Sequence, residues 1–434
     1  MKDKKIMRNE YENKNVISCK KNFDLGLFVY FTGMFCLYTN TVLQLLLQMF
    51  LIVYVLYDLL KKRGSIKIKK CVFKNIILYA FWLGALTLLA YKSKAWAYGT
   101  YLESKTLITL FRAYIMGTCL VLYINSKERL FNALRSFVYA SIVLGVLVLL
   151  TTPITQYGQA GDEGFGVKIG QHRNQVGMLA TTMAFVCFYL DKIKELKNGK
   201  KYIIFFIILL VCSGSRGSMI QCLIAFGLYM ITQRNISNRI KGVIIGILSL
   251  GCIYFLIVTV PFLNETIYQR FLAMIQVVLG TGYSDSSAYG RSLMRVLALN
   301  MFMNKPLLGY GLDGFITYFA DHRVIEGKSF GTIAYSHCNF AELAADFGVV
   351  GLIIWYWLII YIIIKTWRKH KDNEHAHMIF CLIISLVVLD YARINWTTHL
   401  SIYIFTIVFC MSQILVSKKK GSDKIAKFKE KHYI

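Results

Sequence analysis

Residues 335–351 read YSHCNFAELAADFGVVG and run straight into LIIWYWLIIYIII. A histidine, an asparagine, a glutamate and an aspartate thus stand at the entrance of a membrane-length apolar stretch. Three other constellations share this character: QHRNQVG (171–177), SGSRGS (213–218), and GRSLMRVLALNMFMNK (290–305) leading into PLLGYGLDGF. Together they offer Arg173, Arg216, Arg291 and Arg295 beside His172 and His337. Guanidinium groups suit phosphate because they stay charged and present forked donors. A neutral imidazole can take a proton from an attacking hydroxyl near neutral pH. The combination points to a lipid-linked phosphate or pyrophosphate as leaving group and a hydroxyl as acceptor.

Each of these residues also has a reading without chemistry. Arg112, Arg173 and Arg393, near span ends, can reach lipid headgroups, and Arg291 with Arg295 can anchor an interfacial helix. Arg216 is the hardest to dismiss in this way, because small residues flank it and leave it unobstructed. Ser336 and Asn339 are good helix caps, and Glu342 and Asp346 suit the positive end of a helix. The acids Asp285, Asp313, Asp321 and Glu326 show no pairing that spacing can establish.

The elements that must position these groups are membrane helices. The chain has 434 residues, 56% hydrophobic and only 17% charged, far from the balance of a soluble domain. Crossing the hydrocarbon takes about 20 apolar residues. Apolar runs fall near 23–38, 41–60, 73–91, 106–124, 136–153, 175–190, 202–213, 217–232, 243–262, 347–364, 378–391 and 399–417. The expected fold is an all-α polytopic membrane protein of about 12 transmembrane helices in a single domain spanning 1–434.

Basic clusters at the N-terminus, 61–70, 127–135, 191–201, 233–241, 365–371 and the tail alternate with Lys- and Arg-poor connections. Short basic loops mark the cytoplasmic side, so both termini are expected there. The first apolar run follows a polar basic segment with no small-residue cleavage site and reads as a retained anchor.

One long external loop remains, residues 263–346, of a length that implies a site. In it TIYQRFLAMIQVVLG (266–280) and the stretch 290–305 both read as interfacial helices. The second has an apolar stripe of Leu293, Val296, Leu297 and Met301, with Arg291 and Arg295 one turn apart on another face.

The net charge of +27 follows this topology, and attraction to anionic lipid accounts for it without nucleic acid. Most of the eleven cysteines lie in apolar runs, where a thiol packs as a small hydrophobe. Only Cys338 reads as external. No spacing suggests a disulfide framework or a metal site, and no cofactor is implied.

In order along the chain, RNQVGM, SGSRGS, GRSLMRVLALNMFMNKPLLGYGLDGF and YSHCNFAELAADFGVVGLI resemble the landmarks of the O-antigen ligase and polymerase superfamily. The similarity covers roughly residues 170–365. The resemblance implies a GT-C type membrane glycosyltransferase of the bacterial plasma membrane. Its donor would be a glycan on undecaprenyl pyrophosphate, and its site would face outward. By the same resemblance Arg216 and Arg291 match arginines associated with the pyrophosphate, and His337 matches the histidine that orients or activates the acceptor. Arg295, Arg173, His172 and Asn339 are then expected to bind substrate. His337, Gly348 and Gly351 fit the family pattern, whereas Cys338 stands where it has Asn, Ser or Gln.

The long loop, with GYGLDGF followed by SHCNF, resembles Wzy-type capsular polymerases more than ligases. Flippase and chain-length regulator proteins are implied partners. A ligase passing the glycan to a lipid or other surface acceptor is the neighbouring possibility. A lipid-glycan transporter is the other, although the spans carry few mid-depth ionisable groups, mainly Arg112 and Asp390, and no interior proline.

Overall fold

The structure, a computed structural model, describes residues 23–37, 39–61, 70–99, 105–158, 164–259, 286–322 and 335–416. It also describes a few positions between 264 and 276 and two short strands, Val324–Ile325 and Lys328–Ser329. The basic N-terminus and tail, and most of the expected helix at 266–280, lie outside the described residues.

In chain order the helices are α1 (Leu25–Cys36), α2 (Thr41–Lys61), α3 (Lys70–Ser93), α4 (Thr106–Tyr123), α5 (Lys127–Thr151), α6 (Arg173–Lys192) and α7 (Gly199–Ser213). There follow α8 (Arg216–Ile231), α9 (Ile236–Thr259), α10 (Ser286–Asn304), α11 (Gly314–Asp321), α12 (Asn339–Trp367), α13 (Glu374–Leu389) and α14 (His399–Leu415). Five of them, α2, α3, α4, α5 and α12, are long and apolar enough to cross a membrane. Four more, α1, α8, α13 and α14, are apolar but shorter. Backbone that meets hydrocarbon must satisfy its own hydrogen bonds, which is why the apolar runs become helices.

Local chemistry extends several helices beyond the apolar runs. Helix α5 begins in the basic stretch at Lys127, because Ser126 accepts a hydrogen bond from the Arg129 amide. Likewise Asn373 caps α13 by accepting from Ala376 N, so that helix takes in polar residues ahead of 378. Helix α3 passes through a π-helical turn at Ala80–Gly84. There Trp82 Nε1 donates to the Trp355 carbonyl at 2.8 Å and ties α3 to α12.

Helix α10 buries Leu293, Met294, Ala298 and Met301 against α12. Val296, expected on that stripe, is instead exposed, and Met294 with Ala298 takes its place. Cys338 is buried at the start of α12.

The polar opening and the apolar run at 339–367 form one helix in two pieces. At Gly348 the backbone has φ 62° and ψ −156°, a conformation essentially confined to glycine. The freed groups are taken up by the loop after α10. Pro306 O accepts from Val349 N at 2.8 Å, and Leu307 O accepts from Val350 N at 3.3 Å. In return Ala345 O accepts from Tyr310 N at 2.9 Å and Asp346 O from Gly311 N at 2.7 Å. The Asp346 side chain then accepts from Phe315 N, at 2.7 Å, in the first turn of α11. Asp346 therefore serves the start of a different helix from the one it sits in. The segment PLLGYGLDGF is thereby clamped to the break, and α10 with its arginines is held against α12.

Candidate active site

The four constellations meet at one end of the bundle. Arg173 and Arg216 are the first residues of α6 and α8. A cation at a helix N-terminus opposes the macrodipole, so two arginines there suit an anion bound between them. The helices approach closely because Gly177 leaves no side chain between them. A Cβ there would lie 2.8 Å from Ser215 Cβ and 2.9 Å from the hydroxyls of Ser213 and Ser218. RNQVG and SGSRGS are thus two sides of one contact, reinforced by Thr181 Oγ1 donating to Ser218 O at 2.8 Å.

Arg173, Arg216 and Arg291 line one small cavity together with Arg393, Ser215 and Ser218. Arg173 is steadied by donating to Gly158 O at 2.7 Å, and Arg393 by donating to Asn174 O at 2.9 Å. A second cavity, of about 250 Å³, adjoins the first and shares Asn174, Ala392 and Arg393 with it. His172, His337, Tyr335, Glu342 and Asp313 line this one.

His337 occupies a left-handed backbone conformation, φ 58°, which is uncommon for a residue with a side chain. Its neighbours hold it there. Ser336 N donates to Glu342 Oε2 at 2.6 Å, and Ser336 Oγ accepts from Cys338 N at 3.2 Å. Tyr335 packs its ring 4.2 Å from the imidazole. Burial, then the charges of Arg291, His172 and Arg295, lower the His337 pKa to about 3.

His172 caps α6: its Nδ1 accepts from Asn174 N at 3.2 Å, which leaves the ring proton on Nε2. Burial, then Arg173, Arg393 and Arg291, lower its pKa to about 4. Both imidazoles are neutral at pH 7, and a bound anion that offsets the arginine charges would raise their basicity. Their surroundings are strongly cationic, which also favours anionic ligands.

Two expected substrate-binding residues sit differently. Arg295 stacks its guanidinium over Tyr391, 4.6 Å from the ring centre, while its charge still reaches His337. Asn339 lies outside both cavities, fully buried. Its side chain donates to Tyr356 Oη at 2.9 Å and Asp390 Oδ2 at 3.2 Å, and accepts from Asn395 N at 2.7 Å and Trp396 N at 3.0 Å. Tyr356 and Asn395 also donate to Asp390. This network fastens the start of α12 to the 390–396 connection, and so fixes Arg393 relative to His337.

Spacing alone missed Arg393, Glu342 and Tyr335. Arg393, in DYARINW between two apolar runs, has the sequence appearance of a headgroup anchor. Glu342 follows His337 by five residues, so the helix turns it back beside the histidine loop. Among the described residues, no group of His, Cys, Asp and Glu has the form of a metal site.

The fold and site define a helical multi-pass membrane protein with a cationic, histidine-bearing cavity at one end. The family model described as O-antigen ligase matches residues 202–356, and over these residues the chain is similar to that family. The family's members are membrane enzymes acting on lipid-linked glycans. The match contains Arg216, Arg291, Arg295 and His337; His172, Arg173 and Arg393 reach the same cavities from outside it. No curated protein gives a significant match to the chain.

Proposed function

We propose that the protein polymerises oligosaccharide repeat units carried on undecaprenyl pyrophosphate into a surface or capsular polysaccharide, at the outer leaflet, with both termini cytoplasmic. The observation that carries this reading is the adjacency of the two cavities across Arg393 and Asn174. In the reaction the acceptor hydroxyl attacks the anomeric carbon of the donor, and His337 takes its proton. The bond from that carbon to the pyrophosphate oxygen breaks, and the electron pair leaves with the pyrophosphate. Arg173, Arg216, Arg291 and Arg393 stabilise the charge that develops there. Such a leaving group is stable as an anion and needs little help from an acid.

Ligation of a finished glycan to another surface lipid uses the same chemistry, and the description of the matching family favours it equally. The two readings part in a deletion strain. Single repeat units accumulated on lipid carrier support polymerisation, and unattached full-length polymer supports ligation. Arg216→Ala and His337→Ala at normal protein levels are expected to reproduce the deletion phenotype, and unchanged glycan length in both would refute the mechanism.

A further inference from the structure

A large cavity lies away from the arginines, as an apolar groove between α2, α3 and α4, with a volume of about 670 Å³. These three helices are among those able to cross the membrane. Leu88, Ile108 and Phe111 are more than half exposed along it, so the groove opens toward lipid. Two polar side chains break its apolar lining. Gln48 is 4% exposed, and its Nε2 has no hydrogen-bond partner. Arg112 is half-buried, and none of the described carboxylates forms an ion pair with it. A half-buried arginine and a buried, unsatisfied amide in an apolar groove are costly unless a ligand or a small rearrangement satisfies them.

The groove starts beside the candidate active site along α4. Thr106 lines the His337 cavity, and the next residues of α4, Leu107 and Ile108, line the groove. Arg112 lies about 9 Å down the helix axis from Thr106. Side chains on a helix lean toward its N-terminus, here the end at the site. Arg112 is also near enough to His399 for its charge to act on that ring. His399 shares a narrow cavity with Gln175 and Thr398, which line the His337 cavity as well. The order in space is therefore arginine cavity, histidine cavity, groove.

We propose that the groove between α2, α3 and α4 seats the polyprenyl chain of the acceptor, with Arg112 and Gln48 meeting its phosphate end. The inference rests on the polymerase reading, in which both substrates are lipid-linked. The arginine cavity takes the donor pyrophosphate on one side of His337, and the acceptor enters with its own carrier on the other.

The test irradiates the full-length protein in nanodiscs with undecaprenyl phosphate bearing a diazirine in its chain, and maps the labelled peptides by mass spectrometry. Label is expected on α2, α3 and α4, competed by unlabelled undecaprenyl phosphate and not by phosphatidylglycerol. Leu88→Trp or Ile108→Trp fills the groove and should lower that label about tenfold. Phe81→Trp, exposed on α3 outside the groove, should retain it. In turnover, Leu88→Trp and Arg112→Gln should raise the acceptor KM and leave the donor KM unchanged. Absence of label from α2, α3 and α4, or label there competed equally by phospholipid, overturns the proposal. If the groove is labelled as expected but no lipid-linked repeat is extended, the binding site stands and the polymerase reading falls.

Discussion

Replacing Gly348 by alanine tests how the site is held together. At φ 62° and ψ −156° a side chain is strained, at a cost of about 1–3 kcal/mol. The new Cβ would lie 2.4 Å from Leu307 C and O and 2.5 Å from Pro306 O, all backbone atoms that cannot swing aside. Overpacking of this kind adds about 1–3 kcal/mol, for a total on the order of 4 kcal/mol.

Relief requires the 306–311 segment to part from the break in α12. That would release the hydrogen bonds from Tyr310, Gly311, Val349 and Val350 and let α10 drift from His337. Gly227→Ala is the matched control: it lies inside α8 with nothing within 4 Å of its Cβ, and should stabilise by about 0.5–1 kcal/mol. Purified variants would be heated in detergent and the folded fraction followed by size exclusion. Gly348→Ala should lose its folded form well below the wild type, and glycan extension should fall with it. Equal midpoints for the two variants would refute the clamp.

Four further outcomes follow from the site. His337→Ala should lower kcat by about 10²–10⁴-fold, the usual range for loss of a general base, measured on purified lipid-linked repeat. Arg291→Ala should cost about 10²–10³-fold, and Arg291→Lys should recover part of that, since charge returns without the fork. The histidine values of about 3 and about 4 lie below the ordinary 6.5, so the folded protein binds fewer protons than the unfolded chain between those limits. The stability these groups contribute is thus complete above pH 6.5 and is lost as the pH falls toward 3, visible as a falling unfolding midpoint. Asp390→Ala leaves Asn339, Tyr356 and Asn395 without their buried acceptor and should destabilise by about 3 kcal/mol, read in the same heating assay.

The sequence announced the arginines and His337 because charged groups at the ends of apolar runs are few and each must be accounted for. Arg216 stood out from its small neighbours, and the structure explains them by the contact with Gly177. Span positions were legible from apolarity, while the starts of α5 and α13 were not, because capping by Ser126 and Asn373 carries the helix into polar sequence. The break at Gly348 was hidden for a different reason. A glycine beside an apolar run reads as tolerated packing, and only the loop at 306–311, some forty residues earlier in the chain, shows why the helix must part there. Arg393 and Glu342 were obscured because their roles depend on which chain segments fold beside them. Asn339 was misassigned to substrate because three of its hydrogen-bond partners, Asp390, Asn395 and Trp396, lie more than fifty residues away.

The most direct test is extension of purified undecaprenyl-pyrophosphate-linked repeat by the protein reconstituted in liposomes without an energy source, with product length read on a gel. The wild type should build a ladder of polymers, and Arg216→Ala, Arg291→Ala and His337→Ala, each folded, should leave the single repeat unextended. Ladders of wild-type length from all three variants would contradict a shared arginine and histidine site.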